Sequence, residues 1–463
     1  MPRLGRVMSS PQTLRPDAPA ASSYRWVVCS LLFFATTFNY LDRQVISYLK
    51  EFFCTPAAQG GFGWTNTDFS NLTSAFTAFY AGMTIVAGLV IDKIGTKLGL
   101  AIALVIWSIF GALNAFAGSL VSMHILVRSA FGIGEAGNFP ASIKTVAEWF
   151  PKRERALATA IFNSGSNFGA MVAALFVPWC MIHYGDQQGW KMAFLYTGAF
   201  GLLWLIFWFW LYDPPHSQKK LSVAEFAYIH ADDEVTTEQS DGDTAKVPWF
   251  KLFRYRQTMA FAAGKFMTDG VWWFYLFWLP DYLKKQFGMT KHELMLPTFI
   301  VYGVAIVGSV FGGSIPMAFI KRGMQVYKAR MLSMLLIASF PLAVLSTQYF
   351  GNVDRFHAWA STLAVAVICI GAAAHQAWSA NLFTTVSDMF PKKAVGSVTG
   401  IGTAAGGLGG VLVQQLAGYL TDLFKSHPQT AYLIMFIVCA LSYLIAWSIM
   451  KTLVPRHQPI TDL

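Results

Sequence analysis

Apolar runs of about twenty residues follow one another along almost the whole chain, and this leaves it few possible folds. A bilayer core about 30 Å thick is crossed by roughly 20 apolar residues in helical form. Within lipid every backbone N–H and C=O must be satisfied internally, so runs of this length and spacing fold as membrane helices. The reading predicts spans at 25–50, 67–92, 98–118, 122–150, 156–182, 190–212, 256–284, 292–320, 329–350, 357–390, 395–422 and 430–452. With 55% hydrophobic and only 13% charged residues, the composition excludes an ordinary soluble domain.

The formal charge of +10 would suit a nucleic-acid partner, but its placement points elsewhere. Most of the 34 Lys and Arg residues fall in one alternate set of loops, which by the positive-inside rule puts both termini in the cytoplasm of a multi-pass plasma or inner membrane protein. Residues 1–24 read as a disordered cytoplasmic tail, 25–212 as a six-helix bundle, 213–255 as a cytoplasmic linker, 256–452 as a second six-helix bundle and 453–463 as a short tail. The linker carries the acidic run Asp232, Asp233, Glu234 and Glu238, read as a solvated stretch. Of five cysteines, Cys29, Cys180, Cys369 and Cys439 fall in spans and Cys54 in a loop, with neither disulfide nor metal spacing.

Against this apolar background the charges inside spans stand out. Each costs roughly 2.5 to 3.5 kcal/mol at a bilayer centre, so it is expected to face a wet or paired interior. Arg128 and Glu135 lie seven residues apart, on one helix face and about 10 Å from each other, with Gly132, Gly134 and Gly137 keeping that region slim. Lys144, nearer the span end, reads best as snorkelling. In the first span Asp42 and Arg43 are adjacent and point about 100° apart; one arrangement turns Arg43 to a central cavity and Asp42 to a neighbouring helix, and a structural cluster is the other. An arginine in a cavity is a fork-shaped donor suited to carboxylate or phosphate.

Neutral candidates follow. Tyr80 in the second span, and Asn163, Ser164, Ser166 and Asn167 in the fifth, either bind a polar ligand or bond neighbouring helices. Lys265 and Asp269 have the i, i+4 spacing of an intrahelical ion pair, Trp272 and Trp273 follow as sugar-stacking or interfacial rings, and Trp278 near the span end reads as interfacial. The tenth span contributes His375, Gln376, Trp378, Ser379 and Asn381, and the eleventh is dense in glycine.

Two motifs are decoys. Gly132-Ile-Gly134-Glu-Ala-Gly137 spells G-x-G-x-x-G without a preceding strand, and Ser47-Tyr-Leu-Lys50 spells S-x-x-K without its partner motifs. A third is specific. Gly88, Asp92, Lys93, Gly95 and Lys97 form G-x-x-x-D-(R/K)-x-G-x-(R/K) between spans 2 and 3, expected to allow close helix approach and to hold the cytoplasmic face. A shift of 240 residues aligns Phe150-Pro151-Lys152 with Phe390-Pro391-Lys392 and Glu148 with Asp388, and sets His375 opposite Glu135. A repeat of six-span halves with substrate between them is the plan of a facilitator-type transporter.

The signature loop resembles that of the major facilitator superfamily, and the stretches 39–44, 128–151 and 373–381 resemble its anion:cation symporter family. Residues 266–283 look most like those of hexuronate transporters, which import glucuronate or galacturonate with protons. The resemblance implies an all-α integral membrane fold of twelve transmembrane helices in two pseudo-symmetric halves. It also implies a sugar-acid substrate, co-transported H+ in place of a cofactor, and no metal, enzymatic activity or nucleic-acid partner. By similarity Tyr40, Arg43, Tyr80 and Glu135 line the substrate site, and Asp42 and Glu135 carry protons; Arg128 is expected to hold Glu135 or its pathway in place. Asn163, Ser166, Asn167, His375, Trp378 and Thr403 complete the candidate substrate group. Ser166 and Thr403 stand where aldonate-type members have glutamine and asparagine, which favours a uronate. Rival readings are an organic-phosphate antiporter using Arg43 and Lys265 together, an aldonate importer, and a sugar-acid sensor. Nothing in the sequence calls for more than a monomer.

Overall fold

In the computed structural model, residues 23–230 and 249–460 are described. Helical structure underlies every expected span. The first half comprises α1 (Tyr24–Cys54), α2 (Asn66–Ile94), α3 (Thr96–Leu113), α4 (Val121–Glu135), α5 (Asn138–Trp149) and α6 (Lys152–Leu211). The short α7 (Val223–His230) and α8 (Trp249–Leu252) follow. The second half comprises α9 (Arg256–Phe287), α10 (Lys291–Lys321), α11 (Val326–Ser339), α12 (Thr347–Phe350), α13 (Val353–Phe356), α14 (Ala360–Met389), α15 (Lys392–Leu423) and α16 (Pro428–Leu453).

Among the described residues eight helical stretches are long and apolar enough to cross a membrane. Those outside the count are informative: α1 and α9 carry the buried charges, and α4 and α5 are the halves of the expected span 122–150. That span breaks at Ala136 and Gly137, just before Pro140, whose missing N–H cannot continue the ladder. Glu135 therefore ends a helix instead of sitting inside one. Conversely, α6 joins two expected spans end to end, and Gly185 turns the chain between them with φ 70° and ψ 166°, a conformation that favours glycine.

The internal repeat appears in the backbone itself. Pro151 caps α6 with φ −61° and ψ 153°, and Pro391 caps α15 with φ −62° and ψ 149°. Glu148 receives Thr96 Oγ1 at 2.9 Å, while its counterpart Asp388 pairs with Arg330 at 2.5 Å.

Both described chain ends lie at one end of the bundle, the near end. Here α7 docks on the first half, since Glu225 accepts the Tyr24 and Arg25 backbone N–H groups at 3.0 and 3.1 Å. The expected acidic linker run lies outside the described residues. At the opposite, far end the two halves are laced together. Asp422 of α15 caps α2, accepting the Asn66 and Thr67 backbone N–H groups at 3.0 and 2.7 Å, and Lys50 of α1 pairs with Asp281 of α9 at 2.5 Å. Lys284 pairs with Glu51, and Lys291 with Asp186. Between described residues, the hydrogen bonds that join the halves all lie at the far end or mid-height. Toward the near end α2 and α15 part: a Cβ at Gly407 would meet Ala81 Cβ at 2.2 Å, whereas one at Gly82, Gly88 or Gly396 would meet nothing within 4 Å. The close approach expected at Gly88 is thus missing here, because the bundle is shut at the far end and open at the near end.

Candidate functional site

The site begins on α1, where Asp42 and Arg43 diverge as adjacent helical residues must. Arg43 points to the junction of the halves. Its Nε donates to Glu135 Oε2 at 3.0 Å, and a second guanidinium nitrogen lies 2.9 Å from the same oxygen. Glu135 Oε1, also buried, has no hydrogen-bond partner among the described residues. Four rings surround the guanidinium carbon, Tyr40 at 4.2 Å, Tyr80 at 4.6 Å, Trp273 at 5.2 Å and Phe76 at 5.4 Å. Three come from the first half and Trp273 from the second, so the cation sits where both halves meet at mid-height. Arginine suits such a nest because its planar, weakly hydrated head stacks on ring faces while its N–H fork stays available.

Asp42 turns the other way. A Cβ at Gly111 of α3 would lie 3.6 Å from Asp42 Oδ1, and both buried carboxyl oxygens lack a hydrogen-bond partner among the described residues. Buried polar atoms without partners are rare enough to mark a place where a proton, water or ligand belongs.

Arg128 holds neither carboxylate directly. It reaches the backbone carbonyls of Asp42 and Arg43 at 3.5 and 3.3 Å, beneath the Phe131 ring at 4.6 Å. It therefore braces the turn of α1 that presents both side chains, among them Glu135's partner Arg43. The glycines allow the close packing this needs: a Cβ at Gly132 would sit 2.8 Å from the Phe76 carbonyl oxygen, and one at Gly134 2.6 Å from the Trp107 nitrogen.

The second half offers a separate cluster. His375 stacks on Trp272 at 5.0 Å with planes 4° apart, and its Nδ1 lies 2.8 Å from Tyr443 Oη. Trp378, fully buried, packs edge-on against Tyr443 at 5.7 Å. Gln376 donates to Asn167 Oδ1 at 3.4 Å across the halves. Ser166 and Thr403 bond carbonyls of their own helices, at Asn163 and Thr399, and the Asn163 side chain is exposed. Lys265 pairs with Asp269 at 2.6 Å, the intrahelical reading. In the signature loop Asp92 holds Lys144 at 2.9 Å, Lys97 holds Asp213 at 2.6 Å, Lys93 is exposed, and Gly95 makes the turn with φ 82°. The structure thus gathers Tyr40, Arg43, Tyr80 and Glu135 at one point and leaves His375, Trp378, Ser166 and Thr403 apart from that ion pair.

A family model described as the Major Facilitator Superfamily matches residues 32–414. The chain belongs to the Major Facilitator Superfamily. This facilitator is 29% identical over 92% of its length to the hexuronate transporter of Escherichia coli K12, covering 94% of that protein. It is 33% identical to the galacturonate transporter of Dickeya chrysanthemi, over 64% of this chain and 83% of the relative, and 27% identical to the D-galactonate transporter of Escherichia coli O6:H1, over 91% and 95%. Among solved structures it resembles a D-xylose-proton symporter, with TM-score 0.71 and 16% identity over 95% of this chain and all of the other. It also resembles a bacterial homologue of the lysosomal transporter Spinster in its inward-facing, unoccupied conformation, with TM-score 0.69 and 18% identity over 96% and 100%. These likenesses show the facilitator fold.

Sequence reasoning missed two members of the nest. Phe76 is one apolar residue among many in its span, and composition alone does not tell Trp273 from Trp272. The available clue was angular, since neighbours on a helix point about 100° apart and only one of the two could face Arg43.

Proposed function

We propose that this facilitator imports a sugar-acid anion, a hexuronate such as glucuronate or galacturonate, by proton symport through alternating access. The observation that carries the reading is the buried Arg43 held between Glu135 and four rings at the meeting of the halves. A carboxylate is the natural partner of such a fork. Relatives named for hexuronate, galacturonate and galactonate support the class of substrate, and the near end is read as cytoplasmic from its basic loops.

In this mechanism a proton reaching Glu135 releases Arg43, and the incoming carboxylate takes the vacated fork. The rings of Tyr40, Tyr80 and Trp273 flank the sugar, while Asp42 carries a second proton against α3. Import against an inside-negative potential costs roughly 2.3 kcal/mol per charge per 100 mV, so the anion needs co-transported cations; one proton makes the cycle neutral and two make it electrogenic inward. The phosphate-antiporter reading needs Lys265 beside Arg43, and Lys265 is instead bonded to Asp269 beneath the Phe383 ring.

The test is uptake of labelled glucuronate and galacturonate into proteoliposomes under an imposed pH gradient and then an imposed potential. Accumulation driven by an inward proton gradient and abolished by Arg43→Ala is the expected result. Exchange against phosphate with no response to pH would overturn it.

A further inference from the structure

Seven residues beyond Arg43 on the same helix, Lys50 is a second buried cation that the transport mechanism above does not use. Seven residues are almost two full turns, so Lys50 shares the face of Arg43 and lies about 10 Å farther toward the far end. Only 1% of its side chain is exposed, its Nζ stands 3.9 Å from the Trp278 ring centroid and 5.5 Å from that of Phe69, and it donates to Asp281 at 2.5 Å. Among the described residues Asp281 is the only carboxylate in ion-pair contact with it.

The two partners are unequally placed. Asp281 also receives Lys285 of its own helix at 3.1 Å and the Tyr432 hydroxyl of α16, both in the second half. When the halves separate at the far end, Asp281 leaves with these two donors. Lys50 leaves with none of its anionic partners. Glu51, its neighbour, is freed from Lys284 in the same movement, but points about 100° away and is already a third exposed at the rim. The opened far end therefore presents an uncompensated ammonium in a cleft with Phe69 on its own half and Trp278 on the other, on the helix face that leads to Arg43. An ammonium in a cleft with low-dielectric walls attracts an anion more strongly than one on an open surface, because the walls focus its field.

We propose that Lys50 has two successive roles. Paired with Asp281 it latches the far end shut, and once released it is the first docking point for the carboxylate of the incoming anion on its way to Arg43. The substrate's carboxylate and Asp281 compete for one ammonium. Handing the anion inward to Arg43 returns Lys50 to Asp281 and lets the far end reclose behind the cargo. The docking role rests on the sugar-acid reading; the latch does not.

Two variants separate the roles, because Lys50→Gln and Asp281→Asn both remove the latch but only the first removes the docking cation. The latch is read with Ser74→Cys in a Cys54→Ser background, at a position whose native Oγ reaches the Val411 carbonyl of the other half at 3.4 Å. The thiol is then labelled from the far side with a membrane-impermeant reagent, Cys54→Ser alone serving as the blank. Both variants are expected to raise the labelling rate several-fold, and Lys50→Arg to restore it. Unchanged labelling in both would overturn the latch. Docking is read in the KM for glucuronate or galacturonate at low salt: Lys50→Gln raises it about ten-fold, whereas Asp281→Asn, which removes the competitor, leaves it at or below the original value. KM values that rise together in the two variants would overturn docking. If the unaltered chain takes up neither acid, the substrate reading falls and docking with it, while the labelling still decides the latch.

Discussion

Helix α1 carries two buried ion pairs on one face, and they are built differently. Arg43 and Glu135 both belong to the first half, so they travel together through any movement of the halves. Lys50 and Asp281 belong to opposite halves, 231 residues apart in sequence, and cannot stay together if the far end opens. The first pair can be altered only from within, by a proton or a competing carboxylate. The second can be altered by rocking alone. Breaking a buried pair leaves a costly uncompensated charge, so each needs a substitute partner at the moment it parts. In the proposed cycle that substitute is substrate for Arg43, and for Lys50 the same substrate at an earlier station.

The largest expected effect comes from Arg43→Lys. It keeps the charge and loses the two-pronged fork, and hydrogen bonds to charged groups contribute about 1.5 to 3 kcal/mol each. Uptake measured as kcat/KM is expected to fall by about 100-fold or more. Near-normal uptake would mean that Arg43 acts as a point charge, as Lys50 does, and would erase the distinction between the pairs.

Next comes Glu135→Gln, with Asp42→Asn beside it. Glutamine still accepts from Arg43 but cannot take a proton. Accumulation driven by an inward proton gradient is expected to collapse in each variant, while exchange of labelled for unlabelled substrate continues within about ten-fold of the original rate. Asp42 is the sharper case, since neither of its oxygens has a hydrogen-bond partner among the described residues, so an effect on exchange there would point to packing instead of coupling.

Much of this was legible because helices convert spacing into direction. The seven-residue step from Arg128 to Glu135, the divergence of Asp42 from Arg43, and the repeat through Phe150-Pro151 and Phe390-Pro391 all reappear in three dimensions. What escaped is what spacing cannot carry. Lys50 stands where a lysine ordinarily snorkels to the membrane surface, and only the folded chain brings Asp281 and Tyr432 to it. Arg128 looked like a partner for Glu135 because they share a face, yet the chain breaks directly after Glu135, and Arg128 grips the α1 carbonyls instead. Gly88 is a further instance: its motif suggests a close helix approach, and a Cβ there would meet nothing within 4 Å in this conformation.

Trp273→Ala is expected to have a smaller effect. A ring face over a desolvated guanidinium contributes roughly 0.5 to 2 kcal/mol, so KM should rise by about 2- to 30-fold, with Trp273→Phe recovering most of it. Trp272→Ala serves as the contrast, since that ring stacks on His375 and not on Arg43. Equal losses from the two variants would show that substrate spans both clusters, extending the site from the first half to His375 and Tyr443.

The smallest effect is expected where the charges are already wet. Lys144 and Asp92 pair at 2.9 Å with side chains 30% and 69% exposed, and an exposed pair of this kind contributes about 0 to 1 kcal/mol. Lys144→Ala should move the thermal midpoint by no more than a few degrees and leave uptake within about two-fold. Asp92 nevertheless lies in the signature loop at the end of the bundle that is open here, so freeing it from Lys144 leaves it available to the second half when the near end shuts. A large drop in uptake with an unchanged midpoint would therefore assign Lys144 to that closure. It would make Lys144–Asp92 the near-end counterpart of Lys50–Asp281 at the far end.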